Sequence, residues 1–197
     1  MTTPTPEKSQ IVLASGSPRR RDLLRQIGVG FRVVAADIEE IALDDESPAD
    51  FVARMAREKA LAVLQREGDD LPVLGADTAV ILDGLILGKP RDRRDAVAML
   101  KNLSGRTHEV YSAVAVAVSE SEIHEVLNVT RVTFSGLGQE WIESYCDTGD
   151  PMDKAGAYGV QGKAAEKISR IEGSFYCVMG LPLFETAHLL SRAKVLF

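Results

Sequence analysis

An α/β fold, a mixed twisted sheet flanked by helices, follows from three features of this sequence. Short apolar runs alternate along the chain with amphipathic segments of helical period. The middle of the chain carries a succession of strand-like runs with no helix between the last two. Cap and turn residues punctuate the boundaries where the period changes. The order of strands in the sheet is not written in this pattern.

Taken in order, "IVLAS" is a short buried strand. Ser17 caps a helix, Pro18 suits its first turn, and Gly28 ends it; Leu23, Leu24 and Ile27 supply the apolar face. "FRVVAAD" is the next strand. "SPADFVARMAREKALAVLQREG" is the clearest helix, with Ser47 as cap, Pro48 in the first position and Gly68 at the end. "LPVLGADTAVILDGLIL" reads as a strand turned by Asp83-Gly84, a dipeptide suited to a type I′ hairpin. "RDAVAMLKNL" places Ala96, Met99, Leu100 and Leu103 on one helix face. "HEVYSAVAVAV" and "IHEVLNVTRVTF" are long strands joined by a polar turn near Ser119 to Ser121. "GQEWIESYCDTG" is a short helix and "DPMDKAGAYGVQG" a glycine-bearing loop of a length that usually carries function. "AAEKISRIEG" is a final strand, and "GLPLFETAHLLSRAKVLF" a closing helix.

The totals bound the function. A chain of 197 residues with 45% hydrophobic and 26% charged composition suits one well-buried core. The polar stretch 1–10 reads as a flexible tail and 11–197 as a single domain. No apolar run approaches the roughly 20 residues of a membrane helix, and the N-terminus lacks the apolar core of a secretory signal. Cys146 and Cys177 match no metal-ligand spacing and read as free thiols of a reducing, cytoplasmic compartment. A net charge of −6 argues against broad nucleic-acid binding but leaves room for a small polyanion in a local basic pocket.

Such a pocket is suggested by "SGSPRRR". A chain leaving a strand through Ser-Gly-Ser and entering a helix presents backbone N–H groups and a positive dipole end. Arg19 and Arg20 stand where that dipole disfavours cations. A bound phosphate explains them; so does a solvated basic patch pairing with acids such as Asp22. Arg21 reads as surface. Lys59 poses the same choice. It falls in the middle of the stripe Val52, Met55, Ala56, Ala60 and Val63. It must either snorkel outward, the commoner outcome, or reach a partner. Arg54 and Arg57 lie off that stripe and read as solvated surface.

Glu39, Glu40 and Asp77 follow strands, and strand ends in open α/β sheets face the ligand crevice. Carboxylates gathered there suit Mg²⁺ bound with substrate phosphates, and one of them can take a proton from an attacking water. The alternative is that they cap helices or face solvent. Lys89 in "LGKP" is fixed between glycine and proline, available to an anion or simply exposed. In "DKAGAYGVQG", which also carries Asp153, Lys154 and Tyr158, Gln161 offers an amide able to read a base edge or to rest in solvent. No role emerges for His108, His124 or His188. The P-loop, dinucleotide and nucleophile-elbow patterns are absent.

Together, and in this order, "LASGSPRRRDLL", "AREKA", "GADTAVILDGLILGKP", "LSGRTHEVYSAVAV", "DKAGAYGVQG" and "GLPL" closely resemble the Maf family of nucleoside triphosphate pyrophosphatases. The resemblance runs from about Ile11 into the C-terminal helix. It implies a domain of two lobes around a deep cleft, related to the inosine-triphosphate pyrophosphatases. It implies cleavage of a nucleoside triphosphate to the monophosphate and pyrophosphate with a divalent metal, Mg²⁺ or Mn²⁺, and a homodimer. By the same resemblance Arg19 binds phosphate or sets specificity, and Lys59 and Lys89 bind the triphosphate. Glu40 and Asp77 hold the metal, Asp77 accepts the proton of the attacking water, and Thr78 and Gln161 choose the base. Arg19, Ala76-Asp77-Thr78 and Gln161 match the branch that acts on dTTP and UTP. The branch acting on 7-methyl-GTP typically carries tryptophan, Ser-Asp-Gln and glutamate there. A different class, a nucleotide-binding regulator of septum formation with little turnover, also fits the resemblance.

Overall fold

Two Ser-Pro pairs start the first two helices. Ser17 accepts the Arg20 backbone N–H on its hydroxyl ahead of α1 (Pro18–Gln26). Ser47 does the same for Asp50 ahead of α2 (Pro48–Glu67), which Gly68 ends at φ 81°. A proline in the first turn forfeits no helical hydrogen bond. Asp83 and Gly84, at φ 52° and 78°, turn β3 (Val73–Leu82) into β4 (Leu85–Leu87), as a type I′ turn requires. Asp92 caps α3 (Arg93–Leu103). This computed structural model describes residues 8–68 and 70–197.

β1 (Ile11–Leu13), β2 (Phe31–Val33), β5 (Thr107–Ala117), β6 (Ile123–Phe134) and β7 (Ile168–Glu172) complete a seven-stranded sheet. Its order is β2-β1-β3-β5-β6-β7, with β4 on β3. β1 pairs parallel with β2 and β3, while β4 and β7 pair antiparallel with β3 and β6. The sheet is mixed, as the alternation of elements predicts. The remaining helices are α4 (Gln139–Asp147), α5 (Phe175–Met179) and α6 (Leu183–Arg192).

The chain divides into two compact units. The first holds the described residues up to Asp77, with Ser112–Asn128 and Gly180–Phe197. Its core is β1, entirely buried, with Leu23 and Leu24 of α1 and the stripe Val52, Met55, Ala56, Ala60 and Val63 of α2. The second holds Thr78–Tyr111 and Val129–Met179. Its core gathers Val80, Leu100, Leu103, Val132, Phe134, Ile142 and Tyr145. β3, β5 and β6 contribute residues to both.

Some elements depart from the sequence reading. Residues Lys163–Lys167 form a 3₁₀ helix, so the last strand begins only at Ile168. The glycine-bearing loop contains two further 3₁₀ turns, Asp150–Asp153 and Ala155–Ala157. α5 leaves no signal in the sequence: it is too short for a periodicity, and Ser174 starts it by accepting the Cys177 N–H at 3.2 Å. Of the expected tail 1–10, residues 1–7 lie outside the described residues. Gln10 is held to Gly30, donating its N–H at 2.8 Å and accepting the Gly30 N–H on its side chain at 2.7 Å. Among the described residues no helix is long and apolar enough to cross a membrane.

Candidate active site

The geometry of the first unit is set by a glycine. A Cβ on Gly75 would lie 2.2 Å from the Ala56 carbonyl oxygen and 2.7 Å from the Ala60 nitrogen. Only glycine lets β3 and α2 come this close. Ala56 and Ala60, the small residues of the helix stripe, bracket the turn that carries Lys59. The result is that Lys59 does not snorkel. Its Nζ donates to Asp77 Oδ1 at 2.7 Å and meets Glu40 Oε1 at 2.6 Å. Lys59 is 8% exposed and Asp77 6%, while the Glu40 side chain is half exposed. An ammonium at that depth is tolerable only when paired, because desolvation alone costs several kcal/mol per ion. From β5, the fully buried Ser112 donates its hydroxyl to the Asp77 carbonyl at 3.4 Å and so ties down the main chain under the carboxylate.

The arginine turn belongs to the same unit. Arg20 donates through Nη1 to Ser15 Oγ at 3.0 Å and through Nε to the Gly180 carbonyl at 2.9 Å. Ser15 also accepts the Ser17 N–H at 3.3 Å, so one hydroxyl fixes both the turn and the guanidinium. Burial pulls the Arg20 pKa below its ordinary value; the carboxylates of Asp77 and Glu40 push it back up, and the charge of Arg19 pulls it down. Arg20 thus shares one electrostatic cluster with Asp77 and Glu40. Arg19 is half-buried beside it. Asp22 pairs with Arg25 at 2.8 Å rather than with the arginine turn. A Cβ on Gly16 would meet nothing within 4 Å, so the space at this turn is open.

Arg54 is not solvated surface. Its guanidinium bonds Glu46 at 2.6 and 2.7 Å, Glu58 at 3.1 Å and the Ile41 carbonyl at 2.9 Å. The hydrogen bonds from Arg54 hold the Glu46 carboxyl down at about 2. This anchors to α2 the segment that follows Glu40. Arg57, exposed as expected, pairs with Glu125 at 2.5 Å. Glu39 is exposed.

Three expected site residues lie in the second unit. Thr78 is half-buried on β3, next in sequence to Asp77. Lys89 is exposed between Gly88 and the buried Pro90, and the Gly88 carbonyl accepts the Gly156 N–H at 3.0 Å. That bond joins the lysine loop to the glycine-bearing loop. Gln161 is exposed in a turn closed by the Gly162 N–H on the Gly159 carbonyl at 3.2 Å. Ser15, Gly75, Ser112 and Gly180 were missed in the sequence. Gly75 alone left a signal there, a strand glycine matched by two alanines on a neighbouring helix stripe.

Among the described residues no three His, Cys, Asp or Glu gather as a metal-binding group. Glu40 and Asp77 gather as a pair, their oxygens turned to one positive charge. Two carboxylates suffice for Mg²⁺, which keeps waters and takes further oxygens from substrate phosphates.

The model of the Maf-like protein family matches residues 10–193. A dTTP/UTP pyrophosphatase of Cupriavidus pinatubonensis is 50% identical to this chain, covering 95% of it and 98% of the relative. One of Escherichia coli is 51% identical, covering 95% of each. Among solved structures, a HAM1 protein from Coxiella burnetii superimposes with a TM-score of 0.50 at 17% identity, over 94% of this chain and 100% of that one. That likeness supports the fold alone.

Proposed function

This chain belongs to the Maf-like protein family, and from that premise we propose that it hydrolyses nucleoside triphosphates, dTTP and UTP foremost, to the monophosphate and pyrophosphate. The observation that carries the reading is Lys59, buried with its Nζ between Asp77 and Glu40, the two carboxylates that also act on Arg20. A cluster of fixed charges in a buried setting is what phosphoryl chemistry asks of a protein: positioning and electrostatic stabilisation rather than covalent catalysis.

In this reading Asp77 is the proton acceptor. With Oδ1 on the Lys59 ammonium, Oδ2 takes the proton of the attacking water. The water oxygen bonds to the α-phosphorus, and the bond from that phosphorus to the bridging oxygen breaks and releases pyrophosphate. Arg19 binds phosphate, with Arg20 held beside it, and Lys59 and Lys89 bind the triphosphate. Thr78 and Gln161 select the base. Glu40 and Asp77 would hold a divalent cation, Mg²⁺ or Mn²⁺, which when bound neutralises charge on the phosphate oxygens. A homodimer and a cytoplasmic location complete the proposal, the former tested by the sedimentation mass of the purified protein.

The test is turnover of dTTP, UTP, CTP, GTP and 7-methyl-GTP with Mg²⁺ or Mn²⁺, with monophosphate and pyrophosphate both quantified. Turnover led by dTTP and UTP with equimolar pyrophosphate is expected. Release of orthophosphate instead, or no turnover of any triphosphate, overturns the reading.

A further inference from the structure

The turn that carries Gln161 rests on a polar clamp. Asp150 Oδ2 accepts the Tyr145 hydroxyl at 2.9 Å, and Asp150 Oδ1 accepts Lys154 Nζ at 2.8 Å. Lys154 also reaches Asp153 at 2.7 Å and the Asp150 carbonyl. The Tyr145 oxygen in turn accepts the Gly159 N–H at 3.3 Å. Both glycines that flank the turn lie close to this clamp. A Cβ on Gly159 would lie 2.8 Å from Lys154 Cε, and one on Gly162 would lie 2.8 Å from Asp150 Oδ2. Between them Val160 is buried and Gln161 is exposed. Tyr145 is itself fully buried and stacked on Trp141, ring centroids 5.0 Å apart. The oxygen that holds Gly159 is therefore fixed from α4.

We propose that Tyr145, Asp150 and Lys154 are positioning residues that set Gln161 against the nucleobase and thereby fix base selectivity. The proposal rests on the reading of Gln161 as a base-selecting residue. A glutamine side chain has three rotatable bonds, and hydrogen bonds weaken steeply when misaligned. An exposed amide discriminates between base edges only if its own main chain does not move. Here Gly159, before Gln161, donates its N–H to the Tyr145 hydroxyl, and Gly162, after it, lies so close to Asp150 that a Cβ would not fit. Such a network goes beyond keeping the loop folded, because it bonds the main chain on one side of the reading residue and packs closely on the other.

UTP and CTP share a sugar and a triphosphate and differ at the pyrimidine edge, so the ratio of their kcat/KM values isolates base reading. Tyr145→Phe deletes one oxygen from a ring that keeps its stacking, and Asp150→Asn keeps shape and an acceptor. Each is expected to lower the UTP/CTP ratio about three- to tenfold, through a raised KM for UTP with kcat nearly kept. Adding Gln161→Ala to either should lower the ratio little further, because coupled positions are not additive. If UTP and CTP turnover fall together at constant ratio, the clamp only stabilises the loop and the proposal is overturned. If Gln161→Ala alone collapses the ratio while both clamp variants keep it, positioning fails and the reading of Gln161 stands. An unchanged ratio in an active Gln161→Ala enzyme removes both. Thermal melts establish which variants fold, and either one is sufficient for the decision.

Discussion

Lys59 and His108 are both buried, one in each compact unit, and they are accommodated by opposite chemistry. Lys59 places its Nζ between two carboxylates, 2.7 Å from Asp77 and 2.6 Å from Glu40. His108, 2% exposed, faces the Tyr158 hydroxyl through Nε2 at 2.7 Å and stacks on Phe134 with centroids 5.5 Å apart. Its Nδ1 has no hydrogen-bond partner among the described residues. Burial pulls the His108 pKa down to about 4 and pushes the Tyr158 phenol up, so both groups are neutral at physiological pH. At His108 and Tyr158 the second unit buries polar atoms by neutralising them. The first buries charges and pairs them, although apolar residues of similar volume often do as well or better for stability. The difference is between a charged pair that the proposed reaction uses and a neutral pair that packs.

The largest test of that contrast is Lys59→Met. It strands Asp77 at 6% exposure without its cation. The expected loss is about 3–5 kcal/mol of stability, with turnover near background. Replacing both partners, Lys59→Met with Asp77→Leu, should recover most of the stability and none of the turnover. Recovery of activity in the double variant would break the comparison. Chemical denaturation and dTTP turnover on the same preparations read both quantities.

The pH dependence of stability is the next largest. The folded His108 binds its proton near pH 4 and the unfolded one near 6.5. Below 6.5 the unfolded state therefore takes up more protons than the folded state. The contribution is full above pH 6.5 and is lost progressively as pH falls towards 4, about 3 kcal/mol in all. His108→Gln keeps a partner for Tyr158 and removes this slope, leaving turnover per folded molecule unchanged. A denaturation series from pH 4 to 7 in both proteins measures it.

The smallest effect sharpens the first unit. In Gly75→Ala the new methyl must displace α2, because the Ala56 carbonyl would stand 2.2 Å away. Overpacking of this kind costs about 1–3 kcal/mol, and the shift pulls Lys59 from Asp77. Turnover should fall well beyond what the change in folded fraction explains. Equal falls in the two would show that the close approach serves packing alone.

What could be read in the sequence was local. Ser17-Pro18, Ser47-Pro48 and Asp83-Gly84 act on their own hydrogen bonds, and the structure places each as read. The 3₁₀ helix at Lys163–Lys167 and the five-residue α5 escaped because neither spans enough turns to show a period. The sheet order depends on pairing between distant segments, which composition does not record. In the site, the apolar stripe showed that Lys59 was misplaced, but whether it snorkelled or found partners depended on Gly75, a residue 16 positions away on another element. Arg54 reads as solvated because two of its three partners, Glu46 and the Ile41 carbonyl, belong to a segment with no regular pattern. The clamp under Gln161 depends likewise on irregular backbone, the Gly159 N–H that the Tyr145 hydroxyl accepts.

Asp77→Asn removes the proton acceptor proposed for the charged cluster of the first unit and keeps its shape. Triphosphate binding by calorimetry and hydrolysis by pyrophosphate release are measured on the same protein. Binding is expected to survive while turnover falls about 10²- to 10⁴-fold, the contribution of a positioned general base. An Asp77→Asn enzyme that binds and still hydrolyses dTTP at the unsubstituted rate would contradict the role proposed for Asp77.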